Sequence, residues 1–317
     1  MSLEDVAPDD LIRPFQVEEA GVRGRLVRLG ATVDTIVRRH AYPWPVARLL
    51  AEAIALTSVL AGALKFDGVF SLQAKGDGAV RMLVVDFVSP GMLRGYVQYD
   101  EAQVRALADT SKEPQTPVPR LMGGGYLAFT VDQGEEAERY QGIVPLEGAT
   151  LAECAHKYFR DSEQVQTAIR VAAAELDDGA GGKAWRAGAL MVQRLPEGDP
   201  ALLARGVEID PDEWAEDWHR AVTLLATARD DELLDPDLPP DTLLYRLFHE
   251  DGVRVFREVG LEFGCRCSRA RAERVLEALP GPDLEEMTVG GQILVTCEFC
   301  SARYDFEATA FQDTSPA

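Results

Sequence analysis

Apolar and polar residues alternate along several short segments of the first 196 residues, and this alternation predicts β-strands. These segments lie at 21–30, 68–75, 79–87, 92–99, 123–133, 139–146 and 184–196. Turn sequences such as KGDG and SPG separate some of them. Turns this short join neighbouring antiparallel strands. We therefore expect an N-terminal domain, residues 1–196, that is built on an antiparallel sheet.

Two stretches of the same region are predicted to be helical instead. Residues 42–65 place Pro45 at a helix start and then carry apolar residues on nearly every face, so this helix should be central and buried. Residues 150–176 begin with Thr150 and Glu153, which form a capping box. Helices packed on an antiparallel sheet make the expected fold class α+β.

The composition changes after residue 196. Between Glu197 and Thr242 there are 14 acidic residues against 3 basic ones, which is about half of the net charge of −21. Five of the 18 prolines also lie in this part of the chain. We interpret residues 197–248 as an acidic, proline-rich linker that contains short helices.

The first linker helix has a clear start and one apolar stripe. Asp210, Pro211 and Glu213 occupy the N-cap, N1 and N3 positions of a helix. A second short helix is predicted from Asp241 to Phe248. The apolar stripe consists of Trp214, Trp218, Val222 and Leu225.

Short, charged helices are marginal when isolated in water, so the stripe must dock on another surface to be stable. One interpretation is a metastable helical linker, ordered only while that surface exists. The other is an ordinary interdomain helix that never moves. Composition alone does not separate the two.

Four of the five cysteines lie in the last segment, residues 249–317, as C-x-C at Cys265 and Cys267 and C-x-x-C at Cys297 and Cys300. A helix from 268 to 279 is predicted between the pairs, and 290–311 reads as a hairpin with C-x-x-C at its turn. Four soft sulfur donors on two segments are typical of one tetrahedral Zn²⁺ site. An iron–sulfur cluster uses the same ligands, and unligated cysteines are the third alternative.

The metal could hold a small domain together and do nothing else. A switch is the competing interpretation. Each pair is close enough in sequence to form its own disulfide, and a strained disulfide is easily reduced. The pairs also follow directly on the conditionally folded linker, so oxidation that expelled the metal would unfold the small domain and remove a docking surface.

Charge and apolar run lengths exclude some partners. A net charge of −21 and a pI near 4.6 argue against nucleic acid and against an anionic membrane. The longest uncharged apolar run, 53–64, is too short to span a bilayer. The first 15 residues lack the features of a signal peptide, so we expect a cytoplasmic protein.

The remaining candidate groups favour no catalytic site. Cys154 is predicted to be a buried, inert thiol, since His156 lies on another side of the same helix. Gly123–Gly125 read as a turn, because no phosphate-loop lysine follows. A thioredoxin-like oxidoreductase needs a helix after its C-x-x-C, whereas a strand is predicted after Cys300. We therefore expect no enzyme; a protein adaptor with a structural zinc module stays open.

Several longer motifs resemble one known family across residues 10 to 310. They are HAYPWPVARLLAEAIALTSVLAGALKFDG, LQAKGDGAVRMLVVD, GMLRGY, GGGYLAFTVDQ, LAECAHKYFRDSEQ, LLYRLFHE and CRCSRARAERVLEALP followed by CEFCSARYDF. Together they resemble the redox-regulated holdase chaperones of the heat-shock-protein-33 family. The linker is more acidic and richer in proline than is expected of that family.

The resemblance implies a function and a mechanism. The reduced, zinc-bound protein would be an inactive monomer whose ligands are Cys265, Cys267, Cys297 and Cys300. Peroxide or hypochlorite under unfolding conditions would form the disulfides Cys265–Cys267 and Cys297–Cys300 and release the zinc. The linker would then unfold, and the protein would dimerise and hold unfolding client proteins without ATP.

Overall fold

The computed structural model describes residues 9–110, 117–134, 139–160, 164–196, 199 and 211–311. Its strands are Leu11–Val17 (β1), Val22–Leu29 (β2), Val69–Gly76 (β3), Val80–Val88 (β4), Met92–Tyr99 (β5), Gly125–Asp132 (β6), Tyr140–Pro145 (β7), Thr167–Asp177 (β8), Lys183–Arg194 (β9), Val253–Val255 (β10), Val259–Gly260 (β11), Glu262–Phe263 (β12), Thr288–Val289 (β13), Gln292–Thr296 (β14) and Arg303–Glu307 (β15). Its α-helices are Ala31–Arg38 (α1), Trp44–Ala61 (α2), Glu101–Thr110 (α3), Val118–Met122 (α4), Leu151–Tyr158 (α5), Pro211–Thr227 (α6), Asp230–Leu234 (α7), Pro240–Phe248 (α8), Arg269–Glu277 (α9) and Gly281–Met287 (α10).

The chain divides into two compact units, one up to Phe263 and one from Gly264 onward. The larger unit contains two sheets. The first has the order β10–β1–β2–β9–β8, with β11 also paired with β1, and is antiparallel throughout. The second has the order β12–β5–β4–β3–β6–β7 and is antiparallel except for the β12–β5 pair. The predicted α+β class is confirmed.

Helix α2 forms the centre of the larger unit. Fourteen of its 18 residues are buried, and the apolar ones among them share one core, the first core, with residues of both sheets. Pro45 lies in the first turn of this helix, where its missing N–H costs nothing. Among the described residues this helix is long and apolar enough to span a membrane, but 78% of that window is buried inside the fold. The helix therefore has the burial of a core helix.

The first sheet buries both of its faces. On β2, Val27 and Leu29 point into the first core, whereas Val22 and Leu26 point to the opposite face. Helices α6, α7 and α8 cover that opposite face and form the second core with it. The linker helices therefore dock on the first sheet, whereas the sequence analysis had taken the small cysteine domain as a docking surface.

The predicted helix over residues 150–176 is wrong in its second half. Thr150 does cap α5, since its hydroxyl accepts the Glu153 N–H at 3.2 Å. The chain then forms β8, which pairs with β9 along its whole length. Its residues alternate between the two cores, with Ile169 in the first and Ala168 in the second. This double-sided packing overrides the helix preference of the alanine-rich segment.

Residues 253–263 also differ from the expected segment boundaries, because they belong to the larger unit. Strands β10 and β11 pair with β1, and β12 pairs with β5. The smaller unit has a sheet of the order β13–β14–β15 and helices α9 and α10. Its core, the third core, consists of Ala272, Leu276, Leu284, Ile293, Phe306, Ala308 and Phe311.

Candidate metal centre

The second cysteine pair lies at the turn of the β14–β15 hairpin, as the sequence predicts. Cys297 directly follows β14; its N–H donates to Ala302 O at 2.9 Å and its carbonyl accepts the Ser301 N–H at 2.8 Å. Ser301 has a φ of +57°, a left-handed conformation that closes the turn tightly. These bonds hold the loop that presents Cys300 next to Cys297.

The first pair precedes helix α9. Ser268 caps this helix by accepting the Arg271 N–H at 3.2 Å, so the chain turns sharply directly after Cys267. The Arg271 guanidinium also donates to the carbonyl of Arg266, between the two cysteines, at 2.8 Å. The Arg269 guanidinium lies 4.4 Å from the centre of the Phe306 ring. The helix start is thereby tied to both the cysteine loop and the third core.

The two pairs come together as four sulfur atoms that all lie within 4.8 Å of one another. Cys265 Sγ is 3.7 Å from Cys297 Sγ, and Cys267 Sγ is 3.3 Å from Cys300 Sγ. Four sulfurs placed tetrahedrally about 2.3 Å from a zinc ion are separated by about 3.8 Å. The cluster therefore fits a tetrahedral metal ion, and its sulfur donors favour a soft metal over Mg²⁺ or Ca²⁺.

The surroundings shift the pKa values of the cysteine thiols in different directions. Burial acts to raise the pKa of Cys265, but hydrogen bonds from the Cys267 backbone and from the neighbouring thiols outweigh it and lower this pKa to about 7. Burial raises the pKa of Cys297 and of Cys300. Negative charge is thus accommodated more readily on Cys265 than on the two cysteines of the second pair.

Tyr304 is a contact of the cluster that the sequence did not reveal. It lies on β15, and its hydroxyl donates to Cys267 Sγ at 3.2 Å. This hydrogen bond to the sulfur raises the pKa of Tyr304 to about 12. The only signal in the sequence is its position two residues before Phe306, on the same face of a strand. The hydroxyl supports the first pair from outside the set of four sulfurs.

Comparison with known proteins places these features in one family. Residues 10–307 match the family described as Hsp33 protein. The chain belongs to the Hsp33 family. It is 43% identical over 311 residues to the 33 kDa chaperonin of Caulobacter vibrioides, covering 96% of this chain and 99% of that protein. It is 39% identical over 302 residues to the 33 kDa chaperonin of Ectopseudomonas mendocina, covering 95% and 93%.

The fold of this Hsp33 family member is similar to a solved structure. The crystal structure of the 33 kDa chaperonin of Thermotoga maritima, a heat shock protein 33 homologue, superposes with a TM-score of 0.78 at 23% identity. The match covers 96% of this chain and 97% of the other. The shared fold therefore spans both compact units.

In this Hsp33 family member the predicted docking stripe lies on the side of α6 that faces the first sheet. Trp214 packs against Leu195, with the Arg194 guanidinium 4.8 Å from its ring centre. The rest of the stripe lies in or against the second core, namely Trp218, Val222 and Leu225. Asp210, the predicted N-cap of this helix, lies outside the described residues.

Cys154 is not one of the four clustered sulfurs. Its side chain is completely buried in the first core, and burial raises the pKa of its thiol to about 11. On the same helix, His156 accepts the Ile169 N–H at its Nε2, 2.5 Å away. Burial lowers the pKa of this imidazole. A fully buried, protonated thiol is unreactive, in agreement with the inert role predicted for it.

Proposed function

We propose that this protein is a redox-regulated, ATP-independent holdase that binds unfolding proteins under oxidative stress. The reduced form, with one Zn²⁺ on Cys265, Cys267, Cys297 and Cys300, is the inactive state. Oxidation to the disulfides Cys265–Cys267 and Cys297–Cys300 is the activating event. The 33 kDa chaperonin name of its relatives and the four clustered sulfurs support this function.

One observation carries the proposal: the second face of the first sheet is largely apolar, and segmented linker helices cover it in the described part of the chain. Release of those helices would expose a largely apolar surface, which is what a holdase needs for unfolding clients. The sheet residues involved are Phe15, Val17, Val22, Leu26, Ala168, Ala172, Leu190 and Val192.

The cysteine chemistry would act on the small unit. A zinc ion bound by the four thiolates would tie the C-x-C segment to the hairpin and stabilise the third core. Each disulfide forms when two thiols give two electrons and two protons to hydrogen peroxide, which is reduced to two molecules of water. Two disulfides use all four sulfurs, so no thiolate ligand is left.

Covalent continuity offers a route from the cysteines to the linker. Strand β12 ends at Phe263, two residues before Cys265, and β10 begins five residues after α8 ends at Phe248. Strands β10, β11 and β12 are only two or three residues long. Unfolding of the small unit removes the constraint at one end of these short strands, and fraying there would next reach α8.

The test is light scattering from a thermally unfolding client protein, with the chain added either reduced and zinc-loaded or oxidised with peroxide under mild heat. We expect suppression of aggregation by the oxidised form alone. Suppression by the reduced form alone, or by neither form, would refute the holdase.

A second test addresses the linker. Replacing Trp214 and Trp218 with alanine removes much of the apolar stripe of α6, so we expect the reduced double variant to hold client that the wild-type protein does not. Intrinsic fluorescence and far-UV circular dichroism should change when wild type is oxidised. If the reduced double variant holds no more client than the reduced wild type, the proposed role of the linker is wrong.

The proposed partners and location follow from the same mechanism. Clients are unfolded proteins, whereas the net charge of −21 disfavours nucleic acid and anionic membranes. We propose a cytoplasmic protein with no catalytic reaction of its own, monomeric when reduced and dimeric once its apolar face is exposed.

The alternative function is an adaptor whose zinc module is purely structural, and the compact third core around the cysteines is what favours it. The two functions respond to oxidation in opposite directions. An adaptor loses its binding partner when the metal leaves, whereas the holdase gains clients.

A further inference from the structure

The end of helix α7 rests on the first sheet through polar contacts that the proposed function does not include. This helix and the turn after it present four carbonyls to arginines of the sheet, those of Glu232, Leu234, Asp235 and Leu238. The last carbonyls of any helix lack partners within the helix, and when they are buried they need hydrogen-bond donors from elsewhere. In this protein the donors come from the first sheet.

Arg28 on β2 provides most of these donors. Its residue is only 1% exposed. One terminal nitrogen donates to Glu232 O at 2.9 Å and to Leu238 O at 3.0 Å, and the other donates to Asp235 O. Burial lowers the pKa of this guanidinium to about 10, so it stays charged at neutral pH. A buried charge thus bonds to three linker carbonyls.

Arg186 and Gly188 on β9 complete the contact. Gly188 is the cross-strand partner of Arg28, and Arg186 lies two residues earlier on the same face. The Nε of Arg186 donates to Leu234 O at 2.7 Å, and its other end pairs with Asp9 at 2.6 Å. At Gly188 a β-carbon would lie 2.7 Å from Leu233 O. The glycine therefore lets the helix end approach the sheet closely.

The contact stabilises the docked helix because an arginine is more costly to remove from the docked state than from the undocked state. Positive charge at a helix C-terminus is favourable because it complements the helix dipole. When the linker leaves, water can solvate both the guanidinium groups and the carbonyls. When an arginine is removed while the linker stays docked, the buried carbonyls lose their partners, which is the more costly situation.

We infer that Arg28 and Arg186 are positioning residues that latch the end of α7 to the first sheet and set how readily the linker is released. This inference rests on the proposed function, since it names the control of the same apolar face. The latch lies entirely within the larger unit. Loosening it should therefore release the linker while the cysteines stay reduced and the metal stays bound.

The experiment compares full-length, reduced, zinc-loaded variants by hydrogen exchange of residues 230–248. Arg28→Met strands the carbonyls and should accelerate exchange there about tenfold or more. Gly188→Ala should accelerate exchange in the same residues with Arg28 intact, because its methyl group would clash with Leu233 O. It serves as a second variant in case Arg28→Met does not fold.

Arg25→Met is the matched control. Arg25 is a half-buried arginine on the same strand whose Nε donates to Gly62 O, at the end of α2, at 2.9 Å. Its loss should destabilise the larger unit without selectively accelerating exchange in residues 230–248. Metal content, measured by colorimetric chelation, should equal that of wild type in all three variants.

Hydrogen exchange tests the latch, and client holding tests the proposed function, so the two can fail independently. Wild-type exchange in both latch variants, or equal acceleration in Arg25→Met, would overturn the latch. Accelerated exchange without client holding, when oxidised wild type does hold client, would overturn its control of activity. If oxidised wild type fails as well, the proposed function falls, whereas accelerated exchange in the latch variants alone still supports the physical latch.

Discussion

The two compact units of this protein depend on different sources of stability. The larger unit has two extensive apolar cores on the two faces of its first sheet. The smaller unit, about 50 residues long, has only the seven buried apolar residues of the third core in its described part, together with four clustered sulfurs. A unit of that size buries too little apolar surface to be stable without a bound metal, disulfides or a partner.

Under the proposed function, this difference lets one chain contain both a sensor and a scaffold. Removal of the proposed zinc ion would take away most of what stabilises the smaller unit and almost nothing that stabilises the larger one. The linker helices belong to the larger unit but form its more polar, segmented layer. Predictions that separate the two units therefore test the mechanism directly.

The largest effect is expected from the loss of one metal ligand. Cys297→Ser leaves three sulfur ligands, and structural zinc sites contribute about 10–16 kcal/mol to the folding of small zinc peptides. We expect the variant to bind no zinc stoichiometrically and residues 264–311 to be rapidly digested by protease. Strands β1 to β9 of the larger unit should stay protected.

The matched control for that variant is Cys154→Ser, the same chemical change at the buried thiol of the larger unit. Its metal stoichiometry should equal that of wild type, and the cost should appear as about 1–3 kcal/mol of unfolding free energy in the larger unit, because a hydroxyl replaces a buried thiol. Loss of metal from Cys154→Ser would show that the units are not independent in this way.

A core truncation in each unit sharpens the comparison. Ile293 in the third core and Leu83 in the first are both fully buried, and replacing either with alanine should cost about 2–5 kcal/mol. A four-sulfur zinc site exists only in the folded smaller unit, so zinc binding should be coupled to its folding. Ile293→Ala should therefore weaken zinc binding by at least about tenfold in competition with a chelator.

Leu83→Ala should instead lower the thermal midpoint of the larger unit and leave zinc affinity unchanged. Differential scanning calorimetry and chelator competition measure the two quantities in the same samples. Equal losses of zinc affinity in both variants would contradict the separation of the two stabilities.

Local patterns predicted that the four cysteines come together in one cluster. The C-x-C and C-x-x-C spacings each fix two ligands on a short loop, and the hairpin and helix α9 around them have their own start and stop residues. The strand β8 could not be predicted in this way. Its alanine-rich sequence is compatible with a helix, and only pairing with β9 and burial on both faces make it a strand.

The buried arginine of the latch was equally hidden from the sequence. Arg28 occupies a polar position in an alternating strand, and such positions usually face solvent. It is buried because helices more than 200 residues later in the chain cover that face of the sheet. The same long-range packing decided where Trp214 and Trp218 dock, which their spacing on a helix could not specify.

The smallest effect concerns pH and is confined to the larger unit. Burial lowers the pKa of His156 from its usual 6.5, and the ring accepts the Ile169 N–H only while Nε2 carries no proton. Nearby Glu153 acts in the opposite direction. Since the folded state disfavours the proton, this contribution to stability is fully present above pH 6.5 and declines as the pH falls toward the lowered pKa of the folded state.

The substitution His156→Gln isolates this contribution, because the amide oxygen of a glutamine side chain can accept the same N–H without titrating. Urea unfolding of both proteins between pH 7.5 and 5.5 should give parallel free energies above pH 6.5. Below it, wild type should lose more stability than the variant. Identical pH dependence would mean that protonation of His156 is not linked to folding, and the acid sensitivity of the larger unit would then have to come from its carboxylates.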